Sequence, residues 1–264
     1  MTVHFWKYQG NGNDFVIINN LTGENVTLSS DSITLMCDRH FGIGADGLMV
    51  IRKCEEADFE MLYYNADGQL SSMCGNGGRC IAAFAFLQQI ADRKLVFKAF
   101  DGIHRAMINQ EVVKGKILDV SLSMGKVSGV IKEKDFYILD TGSPHYVEFV
   151  EKVAEVNVVG EGRKTRYSER FSPEGINVNF VEISKNRLFV RTYERGVENE
   201  TLSCGTGVTA SAIAAYLETG RKDYSIHTTG GEFTVNFNEA NGIFDAVWLR
   251  GPAEEVFKGS IELL

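Results

Sequence analysis

Short stretches in which apolar and polar residues alternate recur along the chain, and each group of them leads into one strongly apolar segment. FVIIN (15–19) and FEMLYYN (59–65) have the composition and length of strands. The segments GRCIAAFAFLQQIADR (78–93) and VTASAIAAYLETG (208–220) predict helices, the second closed by a C-cap at Gly220. Both helices are apolar nearly all round and too short to span a bilayer, so we expect them to be buried.

The later part of the chain repeats the earlier part at an offset of 130 residues. CGNGGRCIAAFAFL (74–87) lies over CGTGVTASAIAAYL (204–217), and FEMLYY (59–64) lies over FVRTYE (189–194). Two copies of so long a unit indicate paired domains, because a solenoid needs three or more short repeats.

The earlier segments of the two copies match less well. The best superpositions place residues 4–18 over 135–149 and residues 42–51 over 174–183. These correspond to offsets of 131 (135 − 4) and 132 (174 − 42). The join between the copies is expected near residues 115–130.

The predicted fold is α+β, with two pseudo-symmetric domains that are each a curved, mostly antiparallel sheet around a central buried helix. The first domain is predicted to span residues 1–117, with the C-terminal tail 255–264 joining it. The second is predicted to span residues 118–254. A cleft between the domains is the expected position of an active site.

Composition makes several classes of function improbable. The 264 residues are 44% hydrophobic and 23% charged, which is ordinary for a globular protein. The formal net charge is −8 (27 − 35) and no block of lysine and arginine stands out, so nucleic acid is not an expected partner. No apolar run approaches the ~20 residues that cross a bilayer, and the N-terminus lacks the features of a signal peptide. The expectation is a cytoplasmic protein without a membrane partner.

Two motifs do not fit the functions that their patterns usually indicate. Residues 42–47 satisfy G-x-G-x-x-G, but they precede a strand and not a helix, which is the wrong order for a dinucleotide site. Cys74 and Cys80 are six residues apart with no second cysteine or histidine pair nearby, so a metal site is not expected. Cys80, Cys37 and Cys54 are interpreted as core residues.

Cys74 and Cys204 are the two cysteines that the repeat superimposes. Each precedes a predicted helix whose N-terminus favours a thiolate, and the glycines that follow allow a ligand close to the backbone. A thiolate and a thiol that face each other suit inversion of a stereocentre, which needs a base on one face and an acid on the other. The helix N-termini would hold a substrate carboxylate, and no cofactor or metal would be needed. Two alternatives stay open: packing residues retained by duplication, and a redox-sensing thiol pair.

Seven motifs distributed over essentially the whole chain resemble those of the diaminopimelate epimerase family. They are GNDF (12–15), GIGADG (42–47), YNADG (64–68), MCGNGGRC (73–80), GSPH (142–145), YERGVENET (193–201) and SCGTG (203–207). The resemblance implies that family's fold and a cofactor-independent interconversion of LL- and meso-2,6-diaminoheptanedioate by two cysteines, in lysine biosynthesis. It is also the only ground for a homodimer, which is kept as a hypothesis.

Carried over by position, the resemblance assigns roles to individual residues. It makes Cys204 the proton acceptor and Cys74 the proton donor in the LL-to-meso direction, with the roles reversed on return. His145 and Glu194 match positions that tune the two thiols. The substrate-binding positions, to which Glu194 also belongs, are Asn13, Asn65, Gly75, Asn76, Asn177, Arg195, Gly205 and Thr206.

Two residues depart from the pattern of some family members. Gly47 stands where an amide side chain can occur, and Ser143 stands where asparagine can occur. Both are retained as candidate contacts, Ser143 through its hydroxyl and Gly47 through its backbone or a water molecule. The nearest alternative function is that of a proline racemase, which shares the two-cysteine design. That family typically has histidine at the position of Asn76, and a cyclic substrate would not need Arg195.

Overall fold

The computed structural model describes residues 1–22 and 28–263. The chain divides into two compact units, of which the first comprises Met1–Leu122 with Gly251–Leu264 and the second comprises Ser123–Arg250. The first unit is therefore discontinuous in sequence, because the C-terminal strand starts in the second unit and ends in the first. Within the described residues, no helix is long and apolar enough to cross a membrane.

The first unit combines short strands with two helices. Its elements are β1 (Thr2–Gly10), β2 (Asn13–Asn19), α1 (Ser30–Cys37), β3 (Gly47–Arg52), β4 (Phe59–Asn65), β5 (Leu70–Ser71), α2 (Gly75–Leu87), β6 (Lys94–Ala99), β7 (Gly102–Val113) and β8 (Ile117–Ser123).

The second unit follows the same order. Its elements are β9 (Ile131–Lys132), β10 (Phe136–Asp140), β11 (Pro144–Phe149), a 3₁₀ turn (Val153–Glu155), α3 (Val158–Arg166), β12 (Asn177–Ser184), β13 (Arg187–Glu194), β14 (Asn199–Thr201), α4 (Gly205–Thr219), β15 (Ser225–Thr228), β16 (Gly231–Ala240) and β17 (Ile243–Glu262). The last strand, β17, pairs with β16 in this unit and continues into the first unit to pair with β8 and β1.

Parallel strand pairs occur at equivalent places in the two units. β2 runs parallel to β3 with Phe15 opposite Gly47, and β11 runs parallel to β12 with His145 opposite Asn177. Both residues of the second pair follow those of the first by 130 positions (145 − 15 and 177 − 47), so one offset holds through the early strands. The sequence-based offsets of 131 and 132 are wrong, because short alternating segments keep many apolar matches after a slip of one or two residues.

The central helices α2 and α4 are buried, as their all-round apolar surfaces predict. Every residue from Gly75 to Ala85 in α2 is buried, and so is every residue from Val208 to Ala215 in α4. In the second unit, the sheet residues that pack around α4 include Val147. The predicted α+β class with a buried helix in each unit is confirmed.

The boundaries of the central helices follow from local backbone conformation. α2 begins at Gly75 and ends at Leu87, earlier at both ends than the predicted 78–93, and Gln89 beyond it has a left-handed φ of 57°. α4 begins at Gly205, before the predicted start at 208, and ends at Thr219, with Gly220 as the C-cap that the sequence predicts because of its left-handed φ of 74°.

Candidate active site

Cys74 is the N-cap residue of α2. Its φ and ψ of −105° and 152° are extended, and its Sγ accepts a hydrogen bond from the Gly77 N–H at 3.2 Å. A Cβ on Gly77 would lie 3.0 Å from this Sγ, so the close approach of the thiol to the helix start depends on glycine there. The first N–H groups of a helix and its dipole stabilise a negative charge on such a sulfur.

The Asn13 amide, a predicted substrate contact, lies next to Cys74 and has a fixed orientation. Its Nδ2 donates to Asp46 Oδ2 at 2.6 Å, and its Oδ1 lies 3.9 Å from Cys74 Sγ. Asp46 is itself held by Arg39, which forms ion pairs at 2.7 Å with both Asp46 and Asp14. Because the carboxylate of Asp46 can only accept, it directs the carbonyl end of Asn13 towards the thiol.

Asp14 is the centre of this ionic network. The buried Lys7 lies 2.7 Å from Asp14 Oδ2 and also donates to the carbonyl oxygen of Gly44. Burial opposes ionisation of Asp14, but hydrogen bonds from Arg39 and Lys7 outweigh it and lower its pKa to about 2. The charged network therefore fastens β1 and the start of β2 to the loop that precedes β3.

Arg79 is fully buried in the second turn of α2 and points back towards Cys74. Its guanidinium donates to Gly75 O at 3.1 Å, to Asn76 Oδ1 at 3.1 Å and to Asn11 Oδ1 at 2.7 Å. Burial lowers the pKa of Arg79 to about 10, so it stays charged at neutral pH. A positive charge thus reinforces the helix dipole beside the thiol.

The space beside Gly47 is filled by an aromatic ring. A Cβ on Gly47 would lie 2.5 Å from Cε2 and 2.9 Å from the hydroxyl of Tyr63, so this ring excludes a longer side chain at that position. Asn65, opposite Gly47 at the end of β4, is exposed. A substrate contact from either residue stays a prediction.

Cys204 occupies in α4 the position that Cys74 occupies in α2. It is the N-cap, with an extended φ and ψ of −128° and 111°, and it is buried with 7% of its surface exposed. Its Sγ lies 3.4 Å from the Thr206 hydroxyl. Thr141 donates to the Thr206 carbonyl at 2.9 Å, which ties the helix start to the end of β10.

His145 is fully buried next to the start of α4. A Cβ on Gly207 would lie 3.3 Å from its Cε1, and its Nδ1 lies 3.0 Å from Nδ2 of Asn179. Burial and the charge of Arg195 lower the pKa of His145 to about 3, against the hydrogen bond with Asn179, so the ring is neutral. Its Nε2 is buried and has no hydrogen-bond partner among the residues that the structure describes.

Asn177 connects several of the predicted substrate contacts of the second unit. Its Nδ2 donates to Ser143 Oγ at 2.7 Å and to Pro144 O at 3.1 Å, and its Oδ1 accepts from the Arg195 N–H at 2.9 Å. The Arg195 guanidinium donates to the Glu174 carbonyl at 3.2 Å. Because Ser143 accepts from Asn177, its own hydroxyl hydrogen can be directed to another acceptor.

Glu194 lies at the end of β13, directly before Arg195. Its Oε2 accepts a hydrogen bond from the Thr201 hydroxyl at 3.1 Å, and its backbone pairs with Asn199 in β14. The hairpin therefore fixes this carboxylate at the strand end, and its tuning role stays a prediction.

Three residues that sequence interpretation missed contribute to these sites. Asn179 contacts His145, Arg79 lies behind Cys74, and Asp46 orients an amide. Asp46 lies in the motif GIGADG and Arg79 in MCGNGGRC, and a charged residue in an otherwise apolar helix start is the sequence signal for Arg79. Asn179 lies in the alternating segment NVNF, which also fits a solvent-facing strand.

The fold has solved counterparts. A phenazine biosynthesis protein of the PhzF family from Bacillus anthracis superimposes with a TM-score of 0.73 at 14% identity, covering 100% of both chains. A probable proline racemase from Agrobacterium radiobacter has a TM-score of 0.68 at 14% identity and covers 99% of this chain and 93% of that chain. These likenesses show the α+β fold of the chain. In this chain, Cys74 and Cys204 stand at the starts of the two central helices.

Comparison with other sequences assigns the chain to one family within this fold. The family model described as Diaminopimelate epimerase matches residues 5–130 and 137–255. The diaminopimelate epimerase of Flavobacterium psychrophilum is 46% identical over 259 residues, which cover 97% of this chain and 99% of that protein. The chain belongs to the diaminopimelate epimerase family.

Proposed function

We propose that the protein interconverts LL- and meso-2,6-diaminoheptanedioate by proton transfer at an α-carbon, as a step of lysine biosynthesis. Membership of the family, with matches along nearly the whole chain, supports this substrate and reaction. The observation that carries the mechanism is the cysteine at the N-cap of the central helix in each unit. Cofactor independence is part of the proposal.

Inversion of the α-carbon requires that a proton leave one face and another arrive on the opposite face. In the LL-to-meso direction, Cys204 accepts the α-proton and the Cys74 thiol delivers its own proton. The thiol and the thiolate therefore exchange protonation states in each turnover, and the return reaction restores them. His145 and Glu194 are proposed to keep the two sulfurs in opposite states.

The helix starts are proposed to bind the reacting end of the substrate. The backbone N–H groups that follow each cysteine form an anion site, and they stabilise the charge that moves onto the α-carboxylate when the proton leaves. Arg195 offers a planar donor pair to the distal carboxylate. The proposed side-chain and backbone contacts are Asn13, Asn65, Gly75, Asn76, Asn177, Glu194, Gly205 and Thr206, with Ser143 and Gly47 as further candidates.

Reaction in deuterated water tests the proposal directly. The product isomer should carry solvent deuterium at the inverted α-carbon, because the delivered proton comes from a thiol that exchanges with water. Cys74→Ala and Cys204→Ala should each abolish epimerisation, whereas Cys54→Ala, which changes a half-buried cysteine outside both helix starts, should retain it. Full activity of either helix-start variant would end the two-thiol mechanism.

Three further measurements test the proposed substrate, oligomeric state and location in the cell. Racemisation of proline without turnover of diaminopimelate would favour the proline racemase alternative. We also propose a homodimer, and a mass in solution of one 29.3 kDa chain would reject it without affecting the reaction. A cytoplasmic site of action is proposed with the biosynthetic role, and fractionation of cells that express the protein tests it.

A further inference from the structure

Three sheet positions beside the central helix carry hydrophobic side chains, one of them a tyrosine, in one unit and polar side chains in the other. In the first unit, Met49 pairs directly with Tyr63, and Phe15 lies on the adjoining parallel strand. In the second unit, Asn179 and Thr192 are a direct pair in the same arrangement, with the adjoining parallel strand supplying the third residue. The equivalent sets are Phe15, Met49 and Tyr63 in the first unit and His145, Asn179 and Thr192 in the second. Thr192, and not Tyr193 at the offset of 130, takes the place of Tyr63, because β13 pairs with β12 one residue out of the register that β4 keeps with β3.

The helix contacts support the equivalence of Phe15 and His145. A Cβ on Gly77 would lie 3.4 Å from the ring of Phe15, and a Cβ on Gly207 would lie 3.3 Å from the ring of His145. All six residues are buried, with exposures of 8% or less. The first unit shows that the fold accepts apolar side chains here, so packing alone does not require the polar set of the second unit.

The polar residues of the second unit are linked by hydrogen bonds in which each donor and each acceptor can be assigned. The Thr192 hydroxyl donates to Asn179 Oδ1 at 2.9 Å, and Asn179 Nδ2 donates to the Tyr146 carbonyl at 2.9 Å. The carbonyl of Tyr146 can only accept, which identifies the nitrogen end of the Asn179 amide. The second hydrogen on that nitrogen points at His145 Nδ1, so Nδ1 accepts and a neutral ring carries its proton on Nε2.

We propose that Asn179 and Thr192 are positioning residues that hold His145 as the neutral tautomer with its proton on Nε2, ready to donate to an anion of the reaction. This inference rests on the proposed function for the identity of that anion, which is a catalytic thiolate or the substrate carboxylate. The buried Nε2, which lacks a protein partner within the described chain, is the donor that such an anion would satisfy.

The tautomer can be measured without any turnover. In ¹⁵N-labelled protein, long-range ¹H–¹⁵N spectra should show His145 protonated on Nε2 only, assigned by loss of its signals in His145→Gln. The other four histidines, His4, His40, His104 and His227, serve as internal references. In Asn179→Asp the new carboxylate accepts instead of donating, so Nδ1 should become protonated. A wild-type spectrum in this variant, or a proton on Nδ1 in the wild type, would overturn the proposal.

The same spectra identify the acceptor. A change at Nε2 on Cys74→Ala or Cys204→Ala without ligand identifies a thiolate. A change that occurs only when diaminopimelate is added to these variants identifies the carboxylate. No change in any of these samples would reject the donor role of Nε2. Because the tautomer is read independently of activity, failure of the proposed function and failure of this inference give different results.

Kinetics provide the second test, with a control at the equivalent position of the other unit. Asn179→Leu should lower kcat by about 10-fold to 100-fold with a smaller change in KM, because the reacting groups lose an oriented donor. Thr192→Val, the milder variant, should lower kcat several-fold and remain folded. Met49→Leu should keep wild-type kinetics. Equal effects of Asn179→Leu and Met49→Leu would reduce the polar chain to a packing role and contradict the inference.

Discussion

Replacement of Gly207 by alanine tests how tightly the start of α4 packs against the polar residues of the sheet. The added Cβ would lie 2.3 Å from Asn179 Oδ1 and 3.3 Å from both Cys204 Cβ and His145 Cε1. A separation below 3.0 Å is one that real Cβ atoms essentially never show, so the amide has to move. Its Oδ1 accepts the hydroxyl of Thr192, and this hydrogen bond is then disturbed.

The sign of the effect distinguishes this packing argument from helix propensity. Alanine in place of a helical glycine would by itself stabilise the protein by about 0.5–1 kcal/mol. Overpacking costs about 1–3 kcal/mol, and a lost buried hydrogen bond adds about 1 kcal/mol. The expected net result is a destabilisation of about 1–3 kcal/mol, which corresponds to a melting temperature lower by roughly 3–10 °C.

Thermal unfolding followed by circular dichroism measures this effect, and Gly77→Ala is the matched variant in the first unit. Its Cβ would meet Cys74 Sγ at 3.0 Å, a milder conflict with a single atom. We therefore expect Gly77→Ala to lose activity through its displaced thiol but to lose less stability than Gly207→Ala. A Gly207→Ala protein that melts at or above the wild-type temperature would refute the reasoning.

Three further predictions concern charge. Arg79→Gln should slow alkylation of Cys74 by iodoacetamide at neutral pH by about 10-fold, because the thiolate loses a nearby cation. Arg79→Lys, which keeps the charge, and Thr209→Val, which changes the equivalent residue of α4, should not slow it. Equal alkylation rates in all three variants would contradict this prediction. The pKa of His145 is about 3 in the folded protein against its ordinary 6.5, so the unfolded chain binds the extra proton between these values. Stability should therefore fall as the pH drops from 6.5 towards 3, and urea titrations of His145→Gln should show a flatter dependence. The pKa of Asp14 is lowered from 3.8 to about 2, so its contribution is present above about pH 4 and is lost as the pH falls through 2. Asp14→Asn should lower stability at pH 7 more than at pH 2, and equal losses at both would count against the ionic network.

The features that sequence analysis could predict are those that depend on local pattern. An all-round apolar segment behind a Cys-Gly turn predicts a buried helix wherever it occurs, and both α2 and α4 were found in this way. The offset of 130 was clear where these helices and their cysteines align, because Cys74, Gly75 and Gly77 have identical counterparts. The end of α2 is not encoded by a glycine, because the left-handed residue that follows the helix is Gln89.

The features that could not be predicted depend on which strands pair. An alternating segment fits the sheet in more than one register, so the early strands of the two copies were superimposed one or two residues out of place. From the sequence alone, the polar side chains of NVNF (177–180) fit a solvent-exposed face or a buried site equally well. The position of β12 beside α4 decides that Asn179 is buried. The strand β17 likewise pairs with β8 and β1 at separations along the chain that local pattern does not encode.

Duplication gives the two thiols the same backbone setting but different electrostatic surroundings. Behind Cys74, α2 carries the buried cation of Arg79, whereas α4 has Thr209 at the equivalent position, a neutral hydroxyl that donates to Gly205 O at 2.9 Å. Two identical thiols in identical surroundings that share one proton would each carry it half of the time, whereas different surroundings make one of the two protonation states of the pair the more populated one. Two differences between the copies bear on this balance: a buried cation in the helix of the first unit and a neutral imidazole in the sheet of the second.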